Sequence, residues 1–484
     1  MLLNLRETRG PLYRRVYLAL KTKIRAGGLV PAARVPSTRA LARDLGVSRN
    51  TVTLAYEQLA AEGYLVSRHR GATSVARMDP PRPALAPARP AAERPAAISA
   101  YARRLTARLD LAPSHPPGPR PTLRYDFRYG RPAVDEFPRE IWRRLLAAHA
   151  RRASADALGY GSPAGHAPLR AALSEYLGRA RGVVSDPDRI VVMNGTQQGL
   201  DLLARVLLDP GDGAVVEEPH YPGATIPFEA VGARLLRVPV VADGLDPARL
   251  PGRAQRPRLA YVTPCHQFPT GVIMPLERRL ALLRWASRVG AWVVEDDYVS
   301  EFRYEGHPLE ALQSLDRDER AIYLGSFSKT LFPSLRVGYL VLPRALVGPV
   351  LAAKWAADRF SAPLYQGALA DLIASGQFER YLRRAGARNA GRRRALITTL
   401  RERFGDRVEI AGENTGVHLV VWLNDVPPRE LDGLIARAAR AGVGIYPVAP
   451  SYAEPPQRPG LLFGYAALSE GEIRAGVRRL AEVL

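Results

Sequence analysis

The stretch "GSFSKTLFPSLRVGYL" contains a lysine, Lys329, in a chain that uses very few. The chain has 69 basic residues, of which Lys21, Lys23, Lys329 and Lys354 are lysines and the others arginines. Either residue type can supply surface charge, but an arginine keeps its proton, whereas a lysine amine can lose its proton and attack a carbonyl carbon. Lys329 is therefore either a residual surface lysine or a nucleophilic amine.

Acidic residues end a second apolar run, "VVEDDYVSEF". A carboxylate at the end of a buried strand could keep a proton on the ring nitrogen of an electron-withdrawing cofactor. We predict this role for Asp296, with Asp297 as the alternative, and we expect the Tyr298 hydroxyl to donate to an oxygen of the same ring. An acidic cluster after a strand is also typical of a solvated loop or a helix cap.

The stretch "NGTQQGLDLL" follows a predicted strand and opens a helix. The backbone amides of Thr196 and Gln197 would point outward from the positive end of the helix dipole, where phosphate binds, although a simple capped helix has the same pattern. Ser326 and Ser328 flank the lysine, and Arg336 follows them. Two hydroxyls and a guanidinium around one amine suit a phosphate dianion, which arginine can bind through two donors.

An aromatic residue, Tyr221 in "EEPHYPG", could stack on a cofactor ring. An amine, an acid for a pyridine nitrogen, phosphate donors and a stacking ring are the parts of a pyridoxal 5'-phosphate site. Each of these signals is weak alone. Together, in this order along the chain, they predict pyridoxal 5'-phosphate bound to Lys329, and we predict no metal site.

The elements that would position these residues alternate from about residue 123 onward. Short β-rich runs such as "RIVVMNG" and "AIYLGSF" are separated by amphipathic helical stretches such as "LERRLALLRWASRVG". This alternation predicts an α/β domain with a mostly parallel sheet covered on both faces. The last segment, from "VHLVVWL" onward, predicts a small C-terminal α+β lobe.

The bulk composition limits the class of protein. A chain of 484 residues exceeds what one hydrophobic core supports, so two or more domains are expected. The single cysteine, Cys265, excludes an internal disulfide and fits a reducing compartment. Because we find no apolar run long enough to span a membrane and no signal peptide, we expect a cytoplasmic protein without a membrane partner.

Positive charge is concentrated at the N-terminus. The first 75 residues contain thirteen Lys and Arg but four Asp and Glu, a balance of +9 in a chain whose net charge is +22. This concentration favours a polyanionic partner for the N-terminal segment, and double-stranded DNA is the partner we predict.

The pattern of the same segment predicts a helix-turn-helix. Ser37 is suited to cap a helix over residues 38–45, Gly46 allows the turn, and Ser48 is suited to cap a second helix that ends near Glu62. "YLVSRHRGATSV" then predicts a two-stranded wing with Gly71 near its tip. A small helical domain with a solvated basic face is the alternative.

In a helix-turn-helix the start of the second helix enters the major groove. The predicted base and phosphate contacts are therefore at the start of that helix, on the helix before it and on the wing. They are Arg39, Ser48, Arg49, Asn50, Thr51, Arg68, Arg70 and Gly71.

Between the two halves, residues 76–122 hold 11 of the 42 prolines. Proline lacks a backbone donor and interrupts helices and central strands, so the stretch predicts an extended linker with one possible short helix in "ISAYARRLTARLDL". We predict a DNA-binding head at 1–76, a linker at 77–122 and a cofactor-binding, dimerising domain at 123–484.

These motifs resemble known families. "PSTRALARDLGVSRNTV" is similar to the winged helix-turn-helix of GntR-type regulators, and the later part of the chain resembles fold-type I aminotransferases. The motifs "LGYGSPAGHAPLRAAL", "TPCHQFPTGVIMP", "VVEDDYVSEFRY" and "GSFSKTLFPSLRVGYL" carry this second resemblance. Their fusion resembles the MocR/GabR family of pyridoxal-phosphate-dependent transcription regulators. A PdxR-like regulator is one type within this family that the chain could represent.

The resemblance implies a role for each matched residue. Lys329 would form the Schiff base, Asp296 would pair the pyridine nitrogen, Tyr298 would contact the ring oxygen and Tyr221 would stack on the ring. Tyr160 would reach the phosphate of a neighbouring subunit in a head-to-tail, domain-swapped homodimer. The residues implied for the phosphate are Thr196, Gln197, Ser326, Ser328 and Arg336.

The sequence departs from the aminotransferase pattern at two places. Phe268 in "HQFPTG" stands where those enzymes carry an asparagine that contacts the cofactor oxygen, and His266 or Gln267 is the candidate replacement. Leu462 in "RPGLLFGYAALSEGEI" stands where an arginine would hold a substrate carboxylate, unless Arg458 supplies that cation.

These departures favour a regulator over an enzyme as the primary role, with slow transamination at most. The effector would be pyridoxal phosphate itself, in control of vitamin B6 synthesis, or an amino acid or amine such as GABA or taurine. A working aminotransferase with an accessory DNA-binding domain is the runner-up, and a DNA-binding protein with an inert dimerising body is the third hypothesis.

Overall fold

A computed structural model of the chain describes Leu5 and residues 10–67, 72–77, 97–109, 123–307 and 309–484. These residues fall into two compact units, Met1–Ala97 and Ile98–Leu484. Most of the predicted linker lies outside the described residues, as do Arg68, Arg70 and Gly71. The linker boundaries therefore remain a prediction.

The first unit is a winged helix-turn-helix, as the sequence predicts. Its apolar core is formed by the inner faces of the helices, with Leu20, Leu41, Val52 and Leu59 fully buried. Two short strands pair antiparallel to form the wing. The elements are α1 (Leu12–Arg25), α2 (Thr38–Leu45), α3 (Arg49–Ala61), β1 (Leu65–Ser67) and β2 (Thr73–Val75).

Both predicted caps of the helix-turn-helix are present. The Ser37 hydroxyl accepts from the Ala40 amide at 3.2 Å, and the Ser48 hydroxyl accepts from the Thr51 amide at 3.1 Å. Gly46, with φ of +64°, ends α2 in the left-handed region that glycine adopts without strain. The turn between α2 and α3 is therefore fixed by local interactions.

The second unit is built around a mixed sheet and a smaller sheet. Its helices are α4 (Ala100–Leu109), α5 (Arg139–Arg152), α6 (Ala155–Leu158), α7 (Ala167–Arg181), α8 (Thr196–Leu207), α9 (Pro222–Val231), α10 (Leu276–Val289), α11 (Arg344–Asp358), α12 (Pro363–Ala374), α13 (Gln377–Phe404), α14 (Leu431–Arg440) and α15 (Glu470–Ala481). Its strands are β3 (Tyr125–Asp126), β4 (Ile190–Met193), β5 (Gly213–Glu218), β6 (Arg234–Val241), β7 (Gly244–Leu245), β8 (Pro257–Val262), β9 (Trp292–Asp297), β10 (Ala321–Ser326), β11 (Gly338–Val341), β12 (Val408–Ala411), β13 (His418–Leu423), β14 (Val443–Gly444), β15 (Tyr446–Pro447) and β16 (Gly460–Gly464).

The large sheet has the strand order β4-β11-β10-β9-β8-β5-β6-β7. The pairs from β10 through β9, β8 and β5 to β6 are parallel, whereas β11 is antiparallel to both of its neighbours. Neighbouring residues of β9 face opposite clusters: Val293 packs with Trp285 of α10, and Val294 packs with Leu203 of α8. The prediction of a mostly parallel sheet with both faces covered is therefore confirmed.

The C-terminal residues form the predicted α+β lobe. β12, β13, β16 and β15 make an antiparallel sheet, which α13, α14 and α15 help to cover. The parallel pair of β3 and β14 attaches the segment that begins at residue 123 to this lobe. No helix within the described residues combines the length and apolar character needed to cross a membrane.

Candidate functional site

Lys329 lies in the loop after β10, at the carboxyl edge of the large sheet. Its Nζ donates to the Gly130 carbonyl oxygen at 2.9 Å. Burial lowers the pKa of the Lys329 amine, and the nearby Asp296 carboxylate opposes that effect. A lysine with a lowered pKa has more of the neutral amine that can attack a carbonyl carbon.

Asp296 and Asp297 both end β9 but lie in different environments. Asp296 Oδ2 accepts from the Tyr261 hydroxyl at 2.7 Å, while Asp296 Oδ1 is buried without a hydrogen-bond partner. Burial raises the pKa of Asp296 to about 7. Asp297 instead forms a 2.7 Å ion pair with Arg181, which lowers its pKa although burial opposes this. The free oxygen of Asp296 makes it the better candidate for a ring nitrogen.

Two tyrosines and Phe268 form the aromatic wall of the site. The ring of Phe268 packs edge-on against Tyr221 at 5.5 Å and against Tyr298 at 6.3 Å between centroids. The Tyr298 hydroxyl is buried without a partner. Burial raises the pKa of Tyr298 and raises that of Tyr221 to about 12, so both hydroxyls remain protonated and able to donate.

The start of α8 provides amides for an anion. Gly195, with φ of +92°, precedes Thr196, and no side chain caps the helix. The guanidinium of Arg336 donates to the Asn194 carbonyl oxygen, and a Cβ atom at Gly195 would lie 2.9 Å from Arg336 Nη2. A glycine at this position therefore lets an exposed arginine approach the uncapped amides of Thr196 and Gln197.

The strand pairing brings the two serines to the same edge. Ser326 pairs with Gly338 of β11, and Gly338 pairs with Met193 at the end of β4, just before α8. The Ser328 amide donates to the Ser326 hydroxyl at 3.1 Å. The sheet thus places the phosphate candidates from three segments along one edge.

The residues proposed to replace the missing asparagine are held in other contacts. The Gln267 side-chain amide donates to the Pro219 and Phe268 carbonyl oxygens at 2.8 and 2.7 Å. His266 Nδ1 lies 2.5 Å from the Thr415 hydroxyl, whereas His266 Nε2 is buried without a partner. Burial lowers the pKa of His266, so its ring is neutral. Gln267 is therefore a structural residue, and His266 keeps one free ring nitrogen.

The position at which an arginine would bind a substrate carboxylate is occupied by an apolar side chain. Leu462, in β16, is 1% exposed and packs with Phe268, Val420 and Val448. Arg458 forms a 2.6 Å ion pair with Glu409. The predicted alternative cation, Arg458, thus already has a carboxylate partner for one nitrogen, while its Nε and Nη2 atoms have none.

Sequence reasoning missed a small cavity, partly open to solvent, beside Lys329. Thr330 lines this cavity, and its hydroxyl is buried without a partner. Arg388 and Asn389 of α13 line it too, and the Arg388 guanidinium pairs with Glu136. Arg388 and Asn389 lie far along the chain from Lys329, so no local sequence pattern indicates that they are close to it.

Tyr160 lies apart from this set as a surface residue. Its side chain is 83% exposed, its ring packs edge-on against Phe360 at 6.0 Å, and the Arg359 guanidinium lies over it at 5.5 Å. The structure does not bring Tyr160 together with Lys329 through any contact within the described residues.

In the first unit, the predicted DNA-contacting residues lie at the surface. Arg39 on α2 and Ser48, Arg49 and Asn50 around the start of α3 are exposed, and Thr51 is half-buried. Arg49 Nε lies 3.5 Å from the Thr38 hydroxyl, so its guanidinium extends from the junction of the two helices. The exposed set is suited to contact a duplex.

The unpaired polar atoms of the second unit are complementary to the polar groups of pyridoxal phosphate. Asp296 Oδ1 lacks the proton donor that a pyridinium nitrogen would supply, and the Tyr298 hydroxyl lacks the acceptor that a ring oxygen would supply. The uncapped start of α8 and Arg336 suit its phosphate. The residues present therefore fit this cofactor.

Comparison with known proteins agrees with both halves. Residues 12–75 match the family of bacterial regulatory proteins of the gntR type, and residues 133–480 match aminotransferase class I and II. The probable rhizopine catabolism regulatory protein MocR of Rhizobium meliloti is 39% identical over 99% of this chain and 95% of its own length. The pyridoxine biosynthesis transcriptional regulator PdxR of Corynebacterium glutamicum is 30% identical over 94% of this chain and 92% of its own.

Among solved structures, the second unit is similar to LysN, the α-aminoadipate aminotransferase of Thermus thermophilus, complexed with N-(5'-phosphopyridoxyl)-L-leucine. The TM-score is 0.71 at 31% identity, over 80% of this chain and 97% of LysN. The chain thus combines a GntR-type head with an aminotransferase-like body along nearly its whole length. It belongs to the MocR-type subfamily of GntR transcription regulators, whose aminotransferase-like domain binds pyridoxal phosphate.

Proposed function

We propose that this regulator binds operator DNA through its head and changes its operator affinity when an effector occupies the pyridoxal phosphate site of its body. The observation that carries the proposal is the unpaired Asp296 Oδ1 and Tyr298 hydroxyl in the site of the Lys329 amine, in the same chain as a helix-turn-helix with an exposed Arg49. Unpaired buried polar atoms are costly, so a ligand that pairs them gains binding free energy.

Each residue of the site has a proposed part. Bound pyridoxal phosphate supplies an aldehyde for amines and a ring that withdraws electrons. Lys329 provides the amine, the Asp296 carboxylate holds the proton of the ring nitrogen, and the Tyr298 hydroxyl donates to the ring oxygen. Tyr221 covers the ring face. The phosphate is held by Thr196, Gln197, Ser326, Ser328 and Arg336.

The proposed effector is pyridoxal phosphate itself. An amino-acid effector needs a cation for its carboxylate, and Leu462 fills the expected place with a buried apolar side chain. Arg458 is paired with Glu409, and Arg388 is paired with Glu136. A regulator that responds to the cofactor needs no carboxylate clamp, and control of vitamin B6 synthesis would follow.

A second candidate is an amine effector without a carboxylate. The unpaired Thr330 hydroxyl, in the small cavity beside Lys329, would give such a molecule a polar contact. An amino-acid aminotransferase activity is less well supported, because the apolar Leu462 leaves the substrate carboxylate without a partner.

The head would contact DNA mainly through α3. Arg49 and Asn50 would reach base edges in the major groove, and Arg39, Ser48 and Thr51 would contact phosphates. The wing residues Arg68, Arg70 and Gly71 complete the proposed interface.

We further propose that the protein acts as a homodimer in the cytoplasm. The 83% exposed Tyr160 is suited to reach the phosphate of the neighbouring subunit in a head-to-tail, domain-swapped arrangement. Two heads would then contact two half-sites, as dimeric helix-turn-helix proteins do.

Fluorescence anisotropy of labelled operator DNA tests the proposal. On protein freed of cofactor, titration with pyridoxal phosphate should change the operator affinity. Pyridoxal, which lacks the phosphate, should have a weaker effect. GABA and taurine should have no effect. Leu462→Arg tests the effector class, because it should introduce a response to amino acids. An operator affinity that responds to none of these compounds contradicts the proposed function.

A further inference from the structure

The short helix α4 is packed against the second unit. The Tyr101 hydroxyl donates to Asp201 Oδ1 of α8 at 3.1 Å. Arg205, one turn further along α8, pairs with Asp201 at 2.9 Å and places its guanidinium over the Tyr101 ring at 5.7 Å. The first turn of α4 is thus attached to the exposed side of α8.

A second attachment joins α4 to the end of α9. Arg104 Nε donates to the Ala230 carbonyl oxygen at 2.9 Å, in the last turn of α9. Gly232, just beyond that helix, has φ of +93°, and a Cβ atom there would lie 3.2 Å from Arg104 Nη2. A cation at the carboxyl end of a helix satisfies a carbonyl that lacks a helical donor and complements the helix dipole.

The two helices that hold α4 are the two that begin at the cofactor site. α8 begins with Thr196 and Gln197, and Tyr221 directly precedes α9. The Gln197 side-chain amide donates to the Gly223 carbonyl oxygen at 2.9 Å, which joins the two helix starts. The phosphate candidates and the stacking candidate therefore share two helices with the docking contacts of α4.

Along the chain, α4 lies between the DNA-binding head and the rest of the second unit. The chain passes from the wing strand β2 through residues 78–96, which lie outside the described residues, and the next helix among the described residues is α4. Because the chain is continuous, a displacement of α4 moves the end of the segment that leads to the DNA-binding head. Helices move as rigid elements in packed proteins, so a shift at one end of α8 or α9 is felt at the contacts of α4.

We propose that Tyr101 and Arg104 are positioning residues that transmit cofactor occupancy from α8 and α9 to the head. This inference rests on the proposed function. When the phosphate engages the start of α8 and the ring contacts Tyr221, the two helices shift and α4 follows. The fold-change in operator affinity cannot exceed the ratio of the cofactor affinities of the two arrangements.

Arg103 offers a matched control on the same helix. Its side chain is exposed, and its guanidinium bonds to the Ile98 carbonyl oxygen within its own segment. Arg103→Ala and Arg104→Ala therefore remove the same charge from neighbouring positions, but Arg104→Ala alone removes a contact with α9. Tyr101→Phe removes a single hydroxyl and keeps the ring under Arg205.

The experiment measures operator affinity of the full chain with and without saturating pyridoxal phosphate, and takes the ratio. Wild type and Arg103→Ala should give the same ratio, about fivefold or more if the coupling is of ordinary strength. Arg104→Ala and Tyr101→Phe should bring the ratio toward one. Their visible absorbance on cofactor titration and their cofactor-free operator affinity should match wild type, which a general loss of structure would not allow.

Retention of the wild-type ratio in both variants overturns the inference and leaves the proposed function intact. Loss of the visible absorbance together with the ratio also overturns it, because the contacts would then serve the cofactor site itself. A wild-type ratio of one contradicts the proposed function and with it this inference.

Discussion

The head and the body place their polar side chains in opposite ways. The head exposes Arg39, Arg49 and Asn50 around a small apolar core, whereas the body buries Asp296 Oδ1 and the Tyr298 hydroxyl without partners. A duplex is larger than the head and must be met at an outer surface, but a small cofactor can be enclosed. Enclosure leaves buried polar atoms that only the ligand satisfies.

This difference means that the head is structurally complete without its ligand, while the body is not. Variants in the head should alter DNA affinity without affecting the cofactor, and variants in the body should alter cofactor binding first. Substitutions in each region test that separation, beginning with the largest expected effect.

The largest effect is expected for Lys329→Ala, because it removes the proposed attachment point of the cofactor. The visible absorbance of purified protein should be lost completely. Lys329→Arg should lose it as well, since a guanidinium keeps the charge but cannot act as the nucleophile. A normal visible spectrum in either variant would show that another amine binds the cofactor.

In the head, Arg49→Ala should weaken operator binding by about 1–3 kcal/mol, the usual contribution of an arginine that reads a base. Electrophoretic mobility shift or anisotropy measures this change, and the visible spectrum should stay normal. Arg25→Ala is the control, because Arg25 is an exposed residue in the last turn of α1, outside the predicted DNA-contacting set. Equal losses in both variants would indicate general electrostatic attraction.

The third prediction concerns Asp296 and pH. Its pKa is raised to about 7 in the folded protein, against about 4 when unfolded. Cofactor-free protein should therefore lose stability as the pH rises from about 4 to about 7, because the folded state retains a proton that the unfolded state has released. Chemical denaturation of the body across this range measures the free energy of unfolding. In Asp296→Asn this free energy should decline less steeply with pH than in wild type. The same slope in both proteins would mean that Asp296 ionises normally.

The smallest effect is expected for Ser48→Ala. Loss of the cap of α3 should lower the free energy of unfolding of the head by about 1 kcal/mol, with no effect on the body. The thermal unfolding transition of the head measures this loss. Ser67→Ala, at an exposed wing position, provides a comparison expected to be milder.

The sequence predicts the features that depend on neighbouring residues. The caps at Ser37 and Ser48 lie within three residues of the amides they bind, so the pattern alone reveals them. The alternation of strands and helices likewise predicts the large sheet. β11 was not predicted, because its antiparallel place between β4 and β10 depends on partners distant along the chain.

The site shows the same limit. The sequence could not decide between Asp296 and Asp297, which are adjacent at one strand end. The structure separates them through Arg181, which pairs with Asp297, and Tyr261, which leaves one oxygen of Asp296 free. The docking of Tyr101 on Asp201 was also absent from the sequence interpretation, since it joins α4 to a helix about a hundred residues away.

The central claim is that cofactor binding in the body controls DNA binding by the head. One titration tests it directly: pyridoxal phosphate is added to cofactor-free protein on labelled operator DNA while visible absorbance and anisotropy are recorded together. In wild type both signals should change over the same range of cofactor concentration, and in Lys329→Ala neither should change in that range. A visible signal that saturates while the anisotropy stays constant would contradict the account.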